Sequence, residues 1–292
     1  MKPSTRPAFH LSHWVQNLVL RGLIGVLLFL PYERRVPICG WVFARIVAPL
    51  AGYTRRIRDN LHRIFPDMPA AEVARLCRAV PDNVGRSIIE MYSGQEFLER
   101  AKTMPIHGAG LAALEQARAE GRPVVLVTGH FGNYDASRAA LIARGFQIGG
   151  LYRPMTNRYF NRHYVAAISR IGTPLFARGR QGMAEMIRYL RKGGMLGIVQ
   201  DQHMKLGVRL KFFGHDALTA LSAAELALKY DALLIPSYAT RQPDGLSFDI
   251  LVDAPVPHST AEAMTQALND HLEAHVRQHM DQWFWIHKRW KV

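Results

Sequence analysis

Cysteine is scarce in this sequence: Cys39 and Cys77 are the only two in 292 residues. They sit far apart and outside any CxxC pattern, so a disulfide scaffold and a thiolate zinc site are both excluded. Acidic residues are also few, 23 against 37 Lys and Arg, which leaves a net charge of +14. Uninterrupted apolar runs of spanning length are missing. The stretch from Leu18 to Leu30 is broken by Arg21 and closed by Pro31, short of the ~20 apolar residues a transmembrane helix needs. The 23 glycines show no triplet period, and hydrophobic residues make up 49% of the chain, which excludes collagen-like and disordered classes. No Gly-x-Ser-x-Gly elbow, Walker glycine loop, zinc-finger spacing or RNP string occurs. A serine-hydrolase nucleophile and the common nucleic-acid modules are therefore set aside, and any nucleophile has to come from a substrate.

The basic residues that are present are unevenly placed. The first 65 residues hold ten Lys and Arg against only Glu33 and Asp59. A one-sided basic surface suits a polyanion: nucleic acid, an anionic lipid face or an acidic protein. Within this segment a second apolar stretch, Val36 to Tyr53, carries Trp41, Phe43, Ile46, Val47 and Leu50 around Arg45. Two short apolar segments framed by arginines read as interfacial helices, lying in one leaflet with guanidinium groups reaching phosphates. A tilted span starting near Trp14 and a pair of buried helices in a soluble domain are the alternatives. A cleaved signal peptide fits poorly, because Pro31-Tyr32-Glu33-Arg34-Arg35 offers no small-residue cleavage site. Residues 1–55 are thus read as a membrane-anchoring helical segment, and residues 56–292 as one α/β domain.

The periodicity behind that reading is clearest after residue 120. Pro123 to Gly129 is a short apolar β-branched run bounded by Gly121 and Gly129, the mark of a buried strand. Strands follow at 146–152, 174–177, 195–199 and 233–238, with 246–252 as an edge strand. Helices are predicted at 133–144, 159–171, 181–192, 220–229 and 260–280, and residues 58–118 read as mostly helical. Such alternation predicts a mixed central sheet flanked by helices, with ligands gathering at the carboxyl ends of its strands.

The first buried strand ends in Thr128-Gly129-His130-Phe131-Gly132-Asn133-Tyr134-Asp135. A histidine leaving a strand, a glycine for the turn and a carboxylate five residues on fit a general base and the group that orients it. Here His130 is the base and Asp135 the orienter; a structural histidine beside a helix-start aspartate is the plainer reading.

The string His130 to Asp135 resembles the HX4D motif of glycerolipid-type acyltransferases. Leu151-Tyr152-Arg153-Pro154, Ile198-Val199-Gln200-Asp201-Gln202, Phe212-Phe213-Gly214 and Gln282 to Trp290 are similar to stretches of the bacterial lipid A biosynthesis (lauroyl/myristoyl) acyltransferase family. The likeness runs in consistent order from about residue 10 to the carboxyl terminus. It implies an inner-membrane protein with a cytoplasmic active site. Such a protein moves a fatty acyl group from acyl carrier protein, or from coenzyme A, to a hydroxyl of a lipid A precursor. By that resemblance His130 takes the hydroxyl proton, Asp135 orients the ring, and backbone N–H groups near Gly132 and Asn133 stabilise the oxyanion. Arg153 is the implied phosphate or headgroup contact. Asp201 and Gln202 either orient His130 or bind the polar acceptor. Arg178 and Arg180 serve the acceptor's phosphates or simply form a solvated turn. Trp283 and Trp285 line an acyl tunnel or pack the core. No metal or redox cofactor is implied, since acyl transfer from a thioester needs none.

His271, His275 and His279 stand at helical spacing, but Glu273 is one place late for a zinc protease, so a polar helix face accounts for them. Other readings are an acyltransferase for another lipid acceptor (lysophospholipid, ornithine lipid or glycolipid) and a non-catalytic lipid-binding protein. The intact His130 and Asp135 speak against the last.

Overall fold

The computed structural model describes residues 10–291, so Lys2 and Arg6 of the basic segment lie outside the described residues. The chain opens with helices α1 (Leu11–Leu28) and α2 (Tyr32–Val42). A π-helical turn (Phe43–Val47) follows, and then α3 (Ala48–Leu50), α4 (Tyr53–Ile64), α5 (Ala70–Tyr92) and α6 (Gln95–Ala101). The α/β part runs β1 (Ile106–His107), α7 (Leu111–Glu120), β2 (Val124–Thr128), α8 (Tyr134–Ala143), β3 (Ile148–Tyr152), α9 (Arg158–Ile171), β4 (Leu175–Ala177), α10 (Arg180–Leu190) and β5 (Met195–Val199). It closes with β6 (Val208–Phe212), β7 (His215–Thr219), α11 (Ser222–Tyr230), β8 (Leu233–Arg241), β9 (Phe248–Val252) and α12 (Ala261–Gln278).

Seven strands form one sheet in the order β1-β9-β8-β2-β5-β3-β4, and β6 and β7 make a separate hairpin. All neighbouring pairs in the large sheet are parallel except β8 with β9. The predicted mixed sheet is therefore present, and its central strand β2 is apolar and buried from Val124 to Val127, as a strand covered on both faces requires. One sequence expectation changes: β9 is not the edge, since β1 pairs beyond it. Two residues of strand within a helical stretch leave no periodic signal.

Local sequence explains the helix starts around the sheet. Asn133 caps α8 by accepting from the Asp135 N–H, Asn157 caps α9, and Thr260 caps α12. In α4, Ile57 and Leu61 turn inward while Arg55, Arg58 and Arg63 face water.

The amino-terminal helices divide in two. Helix α2 is welded to α5: a Cβ on Gly40 would meet the Asp82 carboxylate at 2.6 Å, and one on Gly85 would meet the Cys39 carbonyl at 2.6 Å. Tyr32 and Val36 are fully buried, and Arg35 bonds Ser93, Glu96 and the Leu30 carbonyl. Helix α1 instead leaves Leu11, Val19, Leu23 and Val26 exposed, and Phe29 just after it is 91% exposed. At 18 residues it is long and apolar enough to cross a membrane.

Candidate active site

The parallel register places the candidate residues along one edge of the sheet. Strands β2 and β5 pair Thr128 with Val199, and two residues further along the same offset aligns His130 with Asp201. The Asp201 Oδ1 lies 2.6 Å from the His130 Nδ1, and its Oδ2 accepts the His130 backbone N–H at 2.7 Å. The indole N–H of Trp283 donates to the same Oδ2 at 2.9 Å. Asp201 is thus wholly buried with both oxygens engaged, while 24% of the His130 side chain is exposed. Burial by itself would raise the Asp201 carboxyl. The attraction of His130 and its hydrogen bonds outweigh that and hold it well below the usual carboxylate range.

With Nδ1–H held by an ionised carboxylate, the His130 Nε2 presents a lone pair on the open side of the ring. The Gln202 amide nitrogen lies 3.4 Å from that Nε2 and 3.4 Å from the Nε2 of His287. Rings of Tyr134 and His287 stand edge-on to His130 at 5.4 and 4.7 Å, and Phe284 is 5.9 Å away. Burial pushes the His287 imidazole down to about 3, so it is neutral beside His130. Burial also pushes the Tyr134 phenol well up, keeping it a neutral donor.

Asp135 is placed differently from the sequence expectation. It does not reach the His130 ring; its carboxylate lies buried 3.8 Å from the Arg138 guanidinium, in the first turn of α8. Burial raises this carboxyl, with Arg138 opposing. The residue on the ring is Asp201. Asn133 is likewise committed internally: its Oδ1 caps α8 and its Nδ2 donates to Glu90 at 2.8 Å. The Gly132 N–H, expected as an oxyanion donor, is already given to the Gln282 carbonyl at 2.9 Å. At Gly132, φ is +52° and a Cβ would sit 1.8 Å from the Ala239 carbonyl oxygen, so only glycine fits this turn.

The remaining candidates line the same sheet edge. In the β3–β4 pairing Tyr152 sits opposite Ala177, so Arg153 and Arg178 leave neighbouring strands side by side, both exposed. The Arg178 guanidinium approaches the Met204 sulfur at 3.9 Å, and Arg180 starts α10 in an exposed turn. Trp283 and Trp285 are fully buried in an aromatic core with Phe212, Phe213 and Trp290, so they pack. The His271–His279 face is not purely polar, because His275 stacks on Tyr238 at 4.7 Å and meets Phe131 edge-on. His287 and Trp283 were present only as parts of a similar string; no spacing within the sequence ties them to His130. The tie is a short ladder in which Phe284 N–H donates to the His130 carbonyl opposite Phe131 and Trp283.

His130, Asp201 and His287 offer ligand atoms within 4.8 Å of one another. Both Asp201 oxygens already accept N–H donors, an arrangement that serves hydrogen bonding and proton transfer. A partly exposed imidazole backed by a buried carboxylate, with an amide donor beside it, can deprotonate a hydroxyl and stabilise the charge that follows.

Known proteins resemble this chain along its length. The family model for bacterial lipid A biosynthesis acyltransferases matches residues 1–292. A lipid A biosynthesis acyltransferase of Haemophilus influenzae is 24% identical over 275 residues, covering 89% of this chain and 83% of the relative. A lipid A biosynthesis lauroyltransferase of Escherichia coli is 24% identical over 246 residues, covering 81% and 78%. A phosphatidylinositol mannoside acyltransferase of Mycobacterium tuberculosis is 23% identical over 245 residues, covering 82% and 78%. The chain belongs to the bacterial lipid A biosynthesis acyltransferase family and is an acyltransferase that acts on a lipid acceptor.

Proposed function

We propose that this acyltransferase moves a fatty acyl group from a thioester donor, acyl carrier protein or acyl-coenzyme A, to the 3-hydroxyacyl hydroxyl of a lipid A precursor, with His130 as general base. The observation that carries this reading is the 2.6 Å pairing of His130 Nδ1 with buried Asp201, which leaves the Nε2 lone pair to accept a proton once the substrate hydroxyl takes the place of the Gln202 amide 3.4 Å away. In the reaction Nε2 takes the hydroxyl proton as the oxygen attacks the thioester carbonyl carbon. The Asp201 carboxylate stabilises the imidazolium that forms. The Gln202 amide, beside Nε2, is a donor for the developing oxyanion. Collapse of the tetrahedral intermediate breaks the C–S bond, and the imidazolium returns its proton to the leaving thiolate. Arg153 and Arg178, side by side on the same edge, suit an acceptor phosphate, which a guanidinium fork binds in bidentate fashion.

The placement is the bacterial inner membrane, with the active site on the cytoplasmic face. Exposed apolar α1 supports insertion, its 18 residues covering about 27 Å at ~1.5 Å per residue. The mycobacterial relative supports a second reading of the acceptor, a phosphorylated glycolipid other than lipid A.

Mass spectrometry of lipid A and phospholipids from cells with and without the protein, with His130→Ala as control, tests both. A lipid A species one acyl chain heavier, absent in the variant, is expected. A gain in another lipid keeps the chemistry and changes the acceptor. No lipid change at all would overturn the catalytic reading in favour of lipid binding.

A further inference from the structure

A cavity lies away from the catalytic histidine. It encloses about 750 Å³ between α5, the α2–π-turn segment, the β8–β9 turn and the residues after α12. That is well within the range that holds a ligand larger than a simple ion. His130, Asp201, Gln202 and His287 do not line it; Trp41, Arg45, Arg75, Arg78 and Arg86 do.

Pairing within the cavity still leaves an excess of positive charge. Arg86 is paired with Asp82, and Arg75 binds Glu72 in bidentate fashion at 2.8 Å and lies 4.0 Å from Asp281, the other carboxylate of the lining. Arg241, at the inner end, is committed to Glu90. Arg45 and Arg78 have no carboxylate partner among the described residues, and both are exposed into the cavity. The π-turn Phe43–Val47 carries Arg45. An extra residue in a helical turn rotates everything after it, and such bulges recur at functional positions.

The same segment bears apolar groups that water does not favour. Trp41 is 56% exposed at the cavity wall, Ile38 lies one turn earlier on the same face, and Ile46 and Leu50 follow, the latter 84% exposed. Unpaired guanidinium groups next to an exposed tryptophan and aliphatics match a molecule with an anionic phosphate head and an apolar tail. We infer that this cavity binds the phosphate-bearing headgroup of an anionic membrane lipid, at a site separate from the catalytic edge. Arg45 of the basic amino-terminal segment then has a specific partner as well as a general one.

The test is calorimetric titration of the full-length protein in nonionic detergent with dihexanoyl phosphatidylglycerol below its micellar concentration. One saturable site is expected, weakened at least tenfold in Arg45→Gln/Arg78→Gln. The charge-matched variant Arg188→Gln/Arg191→Gln on α10 and its end, and His130→Ala, are expected to bind like the unaltered protein. Equal affinity in the two arginine double variants would overturn the site as mere long-range attraction. Loss of binding in His130→Ala would overturn it by moving the lipid to the catalytic edge. Inorganic phosphate binding as tightly as the lipid would overturn the lipid as occupant, and so would the absence of any saturable binding.

Discussion

Arg241 and Glu90 form a buried ion pair beneath the turn that carries His130. The Arg241 Nη2 lies 2.8 Å from a Glu90 oxygen, and its Nε donates to Asn83 at 2.7 Å. The same Glu90 oxygen accepts from Asn133, while Asn83 and Ser87 both donate to the Gly132 carbonyl at 2.9 Å. The network therefore clamps residues 132–133 from below. Helix α5 and strand β8 fix where the catalytic turn sits.

Arg241→Ala should destabilise the protein by about 3–5 kcal/mol, because it leaves the Glu90 carboxylate buried without its charge partner. Chemical denaturation of the detergent-solubilised protein measures this. A loss under ~1 kcal/mol, the size of an exposed pair, would show that water reaches Glu90.

Asp201→Asn should lower kcat about 100- to 1000-fold with little change in KM, since the carboxylate acts on the proton transfer through the ring it holds. In a His130→Ala background the same substitution should cost almost nothing further, because the two residues work as one unit. Steady-state kinetics of the two single variants and the double variant checks both statements. Multiplicative losses, or a loss carried by KM, would assign Asp201 to substrate binding instead.

The identity of that carboxylate shows where sequence reading stops. The strand Val124–Thr128, the turn glycine Gly132 and the base His130 announce themselves through a β-branched run and a local motif. Asp135 looks like the partner because it is close in sequence, yet in a helix's first turn its side chain swings inward to Arg138. Asp201 becomes the partner because β5 pairs beside β2 in a register that aligns residues 71 apart, and strand order is a tertiary fact. The β6–β7 hairpin escaped for a different reason. Its turn at Phe213 and Gly214, both at positive φ, lies in a string recognised only for its family likeness. The alternation of Val208-Arg209-Leu210-Lys211 carried the period-2 signal all along.

Acid should destabilise the fold through its buried histidines. Burial, reinforced by His279 and opposed by Asp253 and Asp249, pushes His275 down to about 4. An unfolded histidine titrates near ~6.5, so between those values the unfolded chain holds a proton that the folded one lacks. Stability therefore falls as pH drops through the unfolded value and levels off near the folded one; His287 adds to it in the same direction. For His275 the loss from pH ~7.5 to ~5 is up to about 2 kcal/mol. His275→Gln keeps a polar group near Thr240 and should flatten the pH dependence of the melting temperature. An unchanged slope would mean that His275 takes up its proton equally in the folded and unfolded chain.

Deleting residues 1–28 should release much of the protein from membranes while leaving it folded, because α1 is largely exposed. The cut has to fall before Tyr32. That ring is fully buried, and Arg35 ties α2 to Ser93 and Glu96, so a longer deletion would open the core and confuse loss of anchoring with loss of folding. Sedimentation with membranes, alongside a circular dichroism melt, reads the two effects separately. Full release with an unchanged melt makes α1 the anchor. Unchanged sedimentation moves the anchor to the strip of Ile38, Trp41, Ile46 and Leu50, whose apolar side chains remain exposed after the cut. In that case Trp41→Ala in the truncated chain should complete the release, since an interfacial tryptophan is the largest apolar contact this strip offers a bilayer.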